Sequence, residues 1–169
     1  LETLHEFNSS ITSLASAESS PLVLVGCQNG RTHLFDLKKN EILRSFAHHR
    51  FPVTSVAFDS NLSSFASSGL DGKINRYSTK VMTLSWTFST RDHGHGSTDK
   101  IEYSKNGSLL LTYGRGSSPI VIDARSGEKV MALQNDLGPP IATHFHPDGK
   151  SVVSISENGL LIFTEISSG

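Results

Sequence analysis

Ser55, His49 and Asp71 are the residue types of a hydrolytic triad: a hydroxyl to attack, an imidazole to take its proton and a carboxylate to orient the imidazole. That chemistry needs a presented nucleophile, and no Gly-x-Ser-x-Gly elbow surrounds any serine. His93 with His95, and His144 with His146, form two His-x-His pairs. On a strand, residues i and i+2 share a face, which suits metal ligation. Neither a cysteine cluster nor a carboxylate at metal-site spacing accompanies them, and His146 falls in a Pro-Asp-Gly turn, so no metal is expected. Gly94-x-Gly96 and Gly114-x-Gly116 are too short for a dinucleotide fingerprint, which needs a third glycine opening a helix; no cofactor is expected. Arg50, Phe51, Arg91 and Arg115 are the kinds of side chain that anchor protein interfaces. Cys27 reads as a small core residue.

The elements that must position these residues show best in the stretch 53–78. An alternating run over 53–58 predicts a strand, a polar turn follows at 59–61 with Asp59 expected in solvent, and a second strand covers 62–68. Asp71-Gly72 then signals a tight turn, and a third strand spans 73–78. Three short strands cannot bury both faces of their sheet, so the unit needs neighbours. The pattern recurs. Phe58, Asp71 and Tyr77 have counterparts 42 residues earlier at Ser16, Asn29 and Phe35, 45 later at Tyr103, Gly116 and Ile122, and 42 later again at Phe145, Asn158 and Thr164. Four units at such a period, with several strands each, predict a propeller or another stacked array.

The chain resembles the WD-repeat β-propeller family. The resemblance rests on 53–58 with Ser68-Gly69-Leu70-Asp71-Gly72-Lys73-Ile74, on His146-Pro147-Asp148-Gly149-Lys150, on the run from Asn29 through Asp36, and on Ile120-Val121-Ile122-Asp123. The Trp-Asp pair that names the family is replaced by Phe35-Asp36, Tyr77-Ser78, Ile122-Asp123 and Thr164-Glu165. The resemblance implies an all-β fold, a propeller or propeller segment, with four repeats of four antiparallel strands over 1–169: about 1–40, 41–80, 81–127 and 128–169. It also implies that His49, Ser55, Asp71 and Tyr77 form a structural hydrogen-bond network rather than a catalytic one.

Outer strands are expected at 1–7, 43–47, 84–89 and 130–134, with blades offset by one strand from the sequence repeats. Either 1–7 pairs with the last unit and closes a four-bladed ring, or the chain is an open arc of a larger ring, which is the reading favoured. The connection 90–98 is the longest polar, Gly-rich one, and is read as free of any packing role.

Hydrophobic content of 36% and charge of 18% leave room for the Ser, Thr and Gly that short strands and many turns require. A net charge of −1 gives no electrostatic case for nucleic acid or membrane as partner. One cysteine excludes an internal disulfide and fits an intracellular setting, cytoplasmic or nuclear. The first residue is Leu, so the chain is read as part of a larger chain or complex. The function expected is that of a non-catalytic protein-interaction scaffold, a WD-repeat subunit or segment of a multiprotein complex whose partners are other proteins. The binding rim expected comprises His49, Arg50, Phe51, Arg91, His93, His95 and Arg115. Two alternatives stand beside it: a reader of an acidic or modified peptide through Arg50, Arg91 and Arg115, and a propeller enzyme with histidines at the channel mouth.

Overall fold

The structure, a computed structural model, describes residues 5–17, 20–114, 117–133, 138 and 140–166. The strands are β1 (Ile11–Ser16), β2 (Leu22–Cys27), β3 (Thr32–Asp36), β4 (Glu41–Phe46), β5 (Val53–Phe58), β6 (Ser64–Gly69), β7 (Lys73–Ser78), β8 (Thr83–Ser89), β9 (Lys100–Tyr103), β10 (Leu109–Tyr113), β11 (Ile120–Asp123), β12 (Lys129–Ala132), β13 (Pro140–Phe145), β14 (Ser151–Ser156) and β15 (Leu161–Glu165). They form antiparallel meanders β1–β4, β5–β8, β9–β12 and β13–β15, each strand paired with its sequence neighbour. The fold is all-β, and among the described residues the only helical turn is a 3-10 turn at Arg91–His93. Each four-stranded blade takes its outer strand from the next sequence repeat, which is the expected offset.

The turns form where the chain supplies the right residues. Gly30 and Gly72, in the Asn-Gly and Asp-Gly turns between second and third strands, have φ of +79° and +72°, a left-handed region that a side chain would strain. The inner strands β1, β5 and β13 each carry a register shift near their start, at 11/13, 53/55 and 140/142. Such bulges sharpen the twist of a strand.

The core lies between blades. Period-two alternation gives each sheet two apolar faces, and each seam is built from one face of each neighbour. Leu24, Leu34 and Phe46 of the first blade meet Val53, Phe65 and Tyr77 of the second. Ala66, Ile74 and Phe88 of the second meet Tyr103, Leu110 and Ile120 of the third. Leu111, Val121 and Leu133 of the third meet Val152 and Phe145 of the fourth. Trp86 Nε1 donates to the Ala124 carbonyl at 3.1 Å, tying the outer parts of the second and third blades.

The expected outer strand over 1–7 is not found where it can be seen. Residues 1–4 lie outside the described residues, and 5–7 are not in a strand. His5 and Phe7 instead pack on the first blade, with Phe7 at ring-centroid distances of 5.2 Å from His33 and 6.4 Å from Phe35. Phe7 also covers Val23, Val25 and the buried thiol of Cys27, whose pKa burial raises. The described part of this segment does not serve the fourth blade, so the ring-closing alternative finds no support there.

Candidate functional site

His49 sits in the connection between β4 and β5 and is buried. Its Nδ1 lies 3.0 Å from Asp71 Oδ1, and its Nε2 lies 2.8 Å from Ser67 Oγ and 3.1 Å from Asn75 Nδ2. A carboxylate only accepts, so Nδ1 carries the proton. Nε2 then accepts from the Ser67 hydroxyl and the Asn75 amide. Asn75 Oδ1 in turn accepts from the Thr87 hydroxyl at 2.7 Å. Asp71 also accepts from the backbone N–H groups of Arg50 and Lys73, each at 3.1 Å. Tyr77 reaches the same cluster through hydrogen bonds to Ser67 and Asn75, and burial pushes its hydroxyl pKa up to about 12. A second contact runs from Tyr77 Oη to His48 Nδ1 at 3.3 Å.

The expected role of Ser55 belongs instead to Ser67. Ser55 stands opposite Ser68 across the β5–β6 ladder, and its carbonyl accepts the Ser68 hydroxyl at 3.4 Å. Ser67 is one residue along and therefore on the opposite face, where His49 lies. Ser67, His49 and Asp71 have the order and spacing of a triad, but Ser67 is fully buried and offers no surface to a substrate. The geometry makes it a packing device.

Asp59 is not the solvated turn residue expected. It is buried and accepts the Ser63 N–H at 2.9 Å, the Ser63 hydroxyl at 2.6 Å and the Ser64 hydroxyl at 2.8 Å.

The loops leading into each inner strand share one rim with the turns between second and third strands. A Cβ on Gly30 would meet the His49 carbonyl oxygen at 2.5 Å, and one on Gly72 would meet Arg91 Cγ at 3.0 Å. Each turn thus packs beneath the loop of the next blade. On this rim Arg50, Phe51 and Arg91 are exposed, while His49 faces inward. His93 is exposed and stacks on Phe88, with centroids 4.7 Å apart and planes within 10°. His95 is half-buried, and burial first, then the charges of His93 and Lys129, lower its pKa. Arg115 lies outside the described residues. Arg31 and Leu70, exposed on the adjoining turns, belong to the same rim and were not singled out from sequence. The signal available was the repeat itself, since Arg31 stands 42 residues before Lys73. Among the described residues, no ion pair engages Arg31, Arg50 or Arg91.

The loop 90–98 has a packing role after all. Thr90 is buried and its hydroxyl donates to the carbonyls of Gly72 and Gly96, and Thr98 is buried beside Thr112.

The second His-x-His pair is split between separate partners: His144 Nδ1 is 2.8 Å from Glu102 Oε2, and His146 Nδ1 is 3.0 Å from Asp148 Oδ2. Among the described residues, no three potential metal ligands converge.

Antiparallel blades stacked face to face, with the loops gathered on a common rim, define a β-propeller architecture. Residues 40–78 match the family model described as WD domain, G-beta repeat. "Eukaryotic translation initiation factor 3 subunit I" of Anopheles gambiae is 24% identical over 94% of this chain and 52% of its own length. The protein of the same name in Dictyostelium discoideum is 23% identical, over 82% of this chain and 45% of its own length. "WD repeat-containing protein 91 homolog" of Dictyostelium discoideum is 21% identical over 92% of this chain and 21% of its own length. The chain therefore spans about half the length of the first two relatives. Among solved structures, the computationally designed Ika4 protein superposes with a TM-score of 0.80 at 20% identity, over 98% of this chain and 96% of Ika4. The match over residues 40–78 and these relatives support a WD-repeat family for the chain.

Proposed function

We propose that this chain is a non-catalytic protein-interaction scaffold, a WD-repeat part of a multiprotein assembly, and that it binds a protein partner through the rim carrying Arg50, Phe51 and Arg91. The observation that carries the reading is the state of that rim. Charged and aromatic anchors stand exposed on loops whose backbones are pinned by turns packed beneath them. Anchors held in place lose less freedom on binding. Two relatives are named as a subunit of a translation initiation factor, which accords with a place in an assembly and with an intracellular setting. Burial of Ser67, the hydroxyl beside His49, argues against hydrolysis.

The test is a pull-down from cell extract, comparing the wild type with Arg50→Glu plus Arg91→Glu. The rim predicts loss of partners that the folded wild type retains. An unchanged set, with both proteins folded, would move the binding surface elsewhere. A second reading, recognition of an acidic or modified peptide, draws on guanidiniums that engage no carboxylate among the described residues. It predicts that a Glu-rich or phosphorylated peptide binds and that binding weakens as salt rises.

A further inference from the structure

The face opposite the rim carries a cavity with a strained residue on its wall. On that face the turn from third to outer strand is tied to the turn between first and second strands of its own blade. Thr79 N–H donates to the Ser63 carbonyl at 3.1 Å, and Ala124 N–H to the Ser108 carbonyl at 2.9 Å. Among these turns lies a cavity of about 370 Å³, whose walls include Ala17, Phe58, Leu62, Tyr103 and Lys105. These residues come from the first three blades, each a complete four-stranded sheet within the chain.

Leu62 has a φ of +55°, in the left-handed region that strains a side chain. Its counterparts in the third and fourth blades are glycines, Gly107 and Gly149, with φ of +72° and +68°. Met82 shares the conformation, at +53°, but it packs against the apolar seam of the first and second blades. Among the described residues, Leu62 joins no apolar core cluster. It lines the cavity instead. A strained conformation that the core does not use points to a use at the surface.

Charge around the cavity is sorted. The Asp59 carboxylate on its wall is already held by the Ser63 N–H and the hydroxyls of Ser63 and Ser64. Lys105 on the wall and Lys80 on the turn beside Ser63 are exposed, and among the described residues no ion pair engages either. We propose that this cavity binds a protein segment in which large apolar side chains are flanked by acidic residues. An apolar side chain enters against Phe58 and Leu62, and the carboxylates meet Lys105 and Lys80. Burial of the apolar chain supplies affinity, and the charge-assisted hydrogen bonds to lysine select acid over base. A phosphate backbone would use the lysines and leave Phe58 and Leu62 without a role. The site is separate from the rim of Arg50 and Arg91 and faces the other way.

The test is fluorescence anisotropy with a labelled peptide, Asp-Glu-Leu-Phe-Asp-Glu, and a control carrying Lys at each acidic position. The acidic peptide should bind about tenfold or more tightly than the control and weaken as salt rises. Lys105→Glu and Leu62→Gly should each lower its affinity about tenfold. Glycine suits the backbone at position 62, so Leu62→Gly should melt at or above the wild-type temperature, whereas loss of a packing residue would lower it. Arg50→Glu plus Arg91→Glu should leave this binding unchanged, which separates the cavity from the rim. An acidic peptide that binds no better than its control would overturn the proposal. So would wild-type affinity in Lys105→Glu or Leu62→Gly, a clearly lower melting temperature for Leu62→Gly, or loss of binding in the rim variant. Displacement of the peptide by a short oligouridylate would reassign the cavity to nucleic acid and overturn it as well.

Discussion

Phe7 stands in the first blade where His49 stands in the second. The two are 42 residues apart, and so are the residues they rest on: Val25 and Ser67, His33 and Asn75. In both blades these partners face each other across the ladder, His33 opposite Val25 and Asn75 opposite Ser67. The same place is therefore filled once by an aromatic ring on an apolar floor and once by an imidazole in a polar network.

That substitution can be tested by transplanting one solution into the other. His49→Phe alone should cost about 1–3 kcal/mol, because it strips buried Asp71, Ser67 and Asn75 of a partner. Adding Ser67→Val and Asp71→Asn, the residues of the first blade at Val25 and Asn29, should recover a clear part of the loss. Urea midpoints at equal m-values measure both. No recovery would mean that the two pockets are not interchangeable.

Asp59→Ala should lower stability by about 1–3 kcal/mol, close to the cost of Asp71→Ala, since each removes an acceptor of several buried hydrogen bonds. A midpoint for Asp59→Ala equal to wild type would return that residue to the solvent.

Gly26→Ala should destabilise by about 1–3 kcal/mol through overpacking. Its new methyl would lie 2.6 Å from Val53 Cγ1. Combined with Val53→Ala, the loss should be smaller than the sum of the two single variants, a coupling that denaturant melts resolve.

His33 makes stability depend on pH. Burial first, then the charges of Arg31 and His5, lower its pKa below the ordinary value of 6.5. The unfolded chain therefore takes up a proton before the folded chain does. Stability is undiminished above about pH 6.5 and falls as pH drops below it, until the folded state is protonated too. Denaturation midpoints at pH 7.5 and 5.5 should differ, and His33→Asn, which copies Asn75, should shrink the difference. An unchanged difference would place the titration on another group.

Much of the fold was legible because period two and the spacing of 42, 45 and 42 are both imposed by backbone geometry, and Asp-Gly and Asn-Gly mark the turns directly. The network was legible through His49, Asp71 and Tyr77, whose types fit one purpose. Ser55 was mistaken for Ser67 because serines stand on both strands, and only the β5–β6 register, with its shift at 53/55, decides which one faces His49. Asp59 misled for a related reason: a turn aspartate looks solvated until the hydroxyls of Ser63 and Ser64 fold back onto it. The segment 5–7 misled because repeat matching implied a strand, whereas Phe7 is held by the rings of His33 and Phe35.

The seating of each turn beneath the next blade's loop, Gly30 under His49 and Gly72 under Arg91, couples only adjacent blades. Cooperativity in such a stack is nearest-neighbour, so an injury to one blade is felt chiefly by the blades on either side. Amide protons should then exchange in a graded order, slowest in β6 and β7, which are flanked on both sides, and fastest in β15, whose sheet has one covered face.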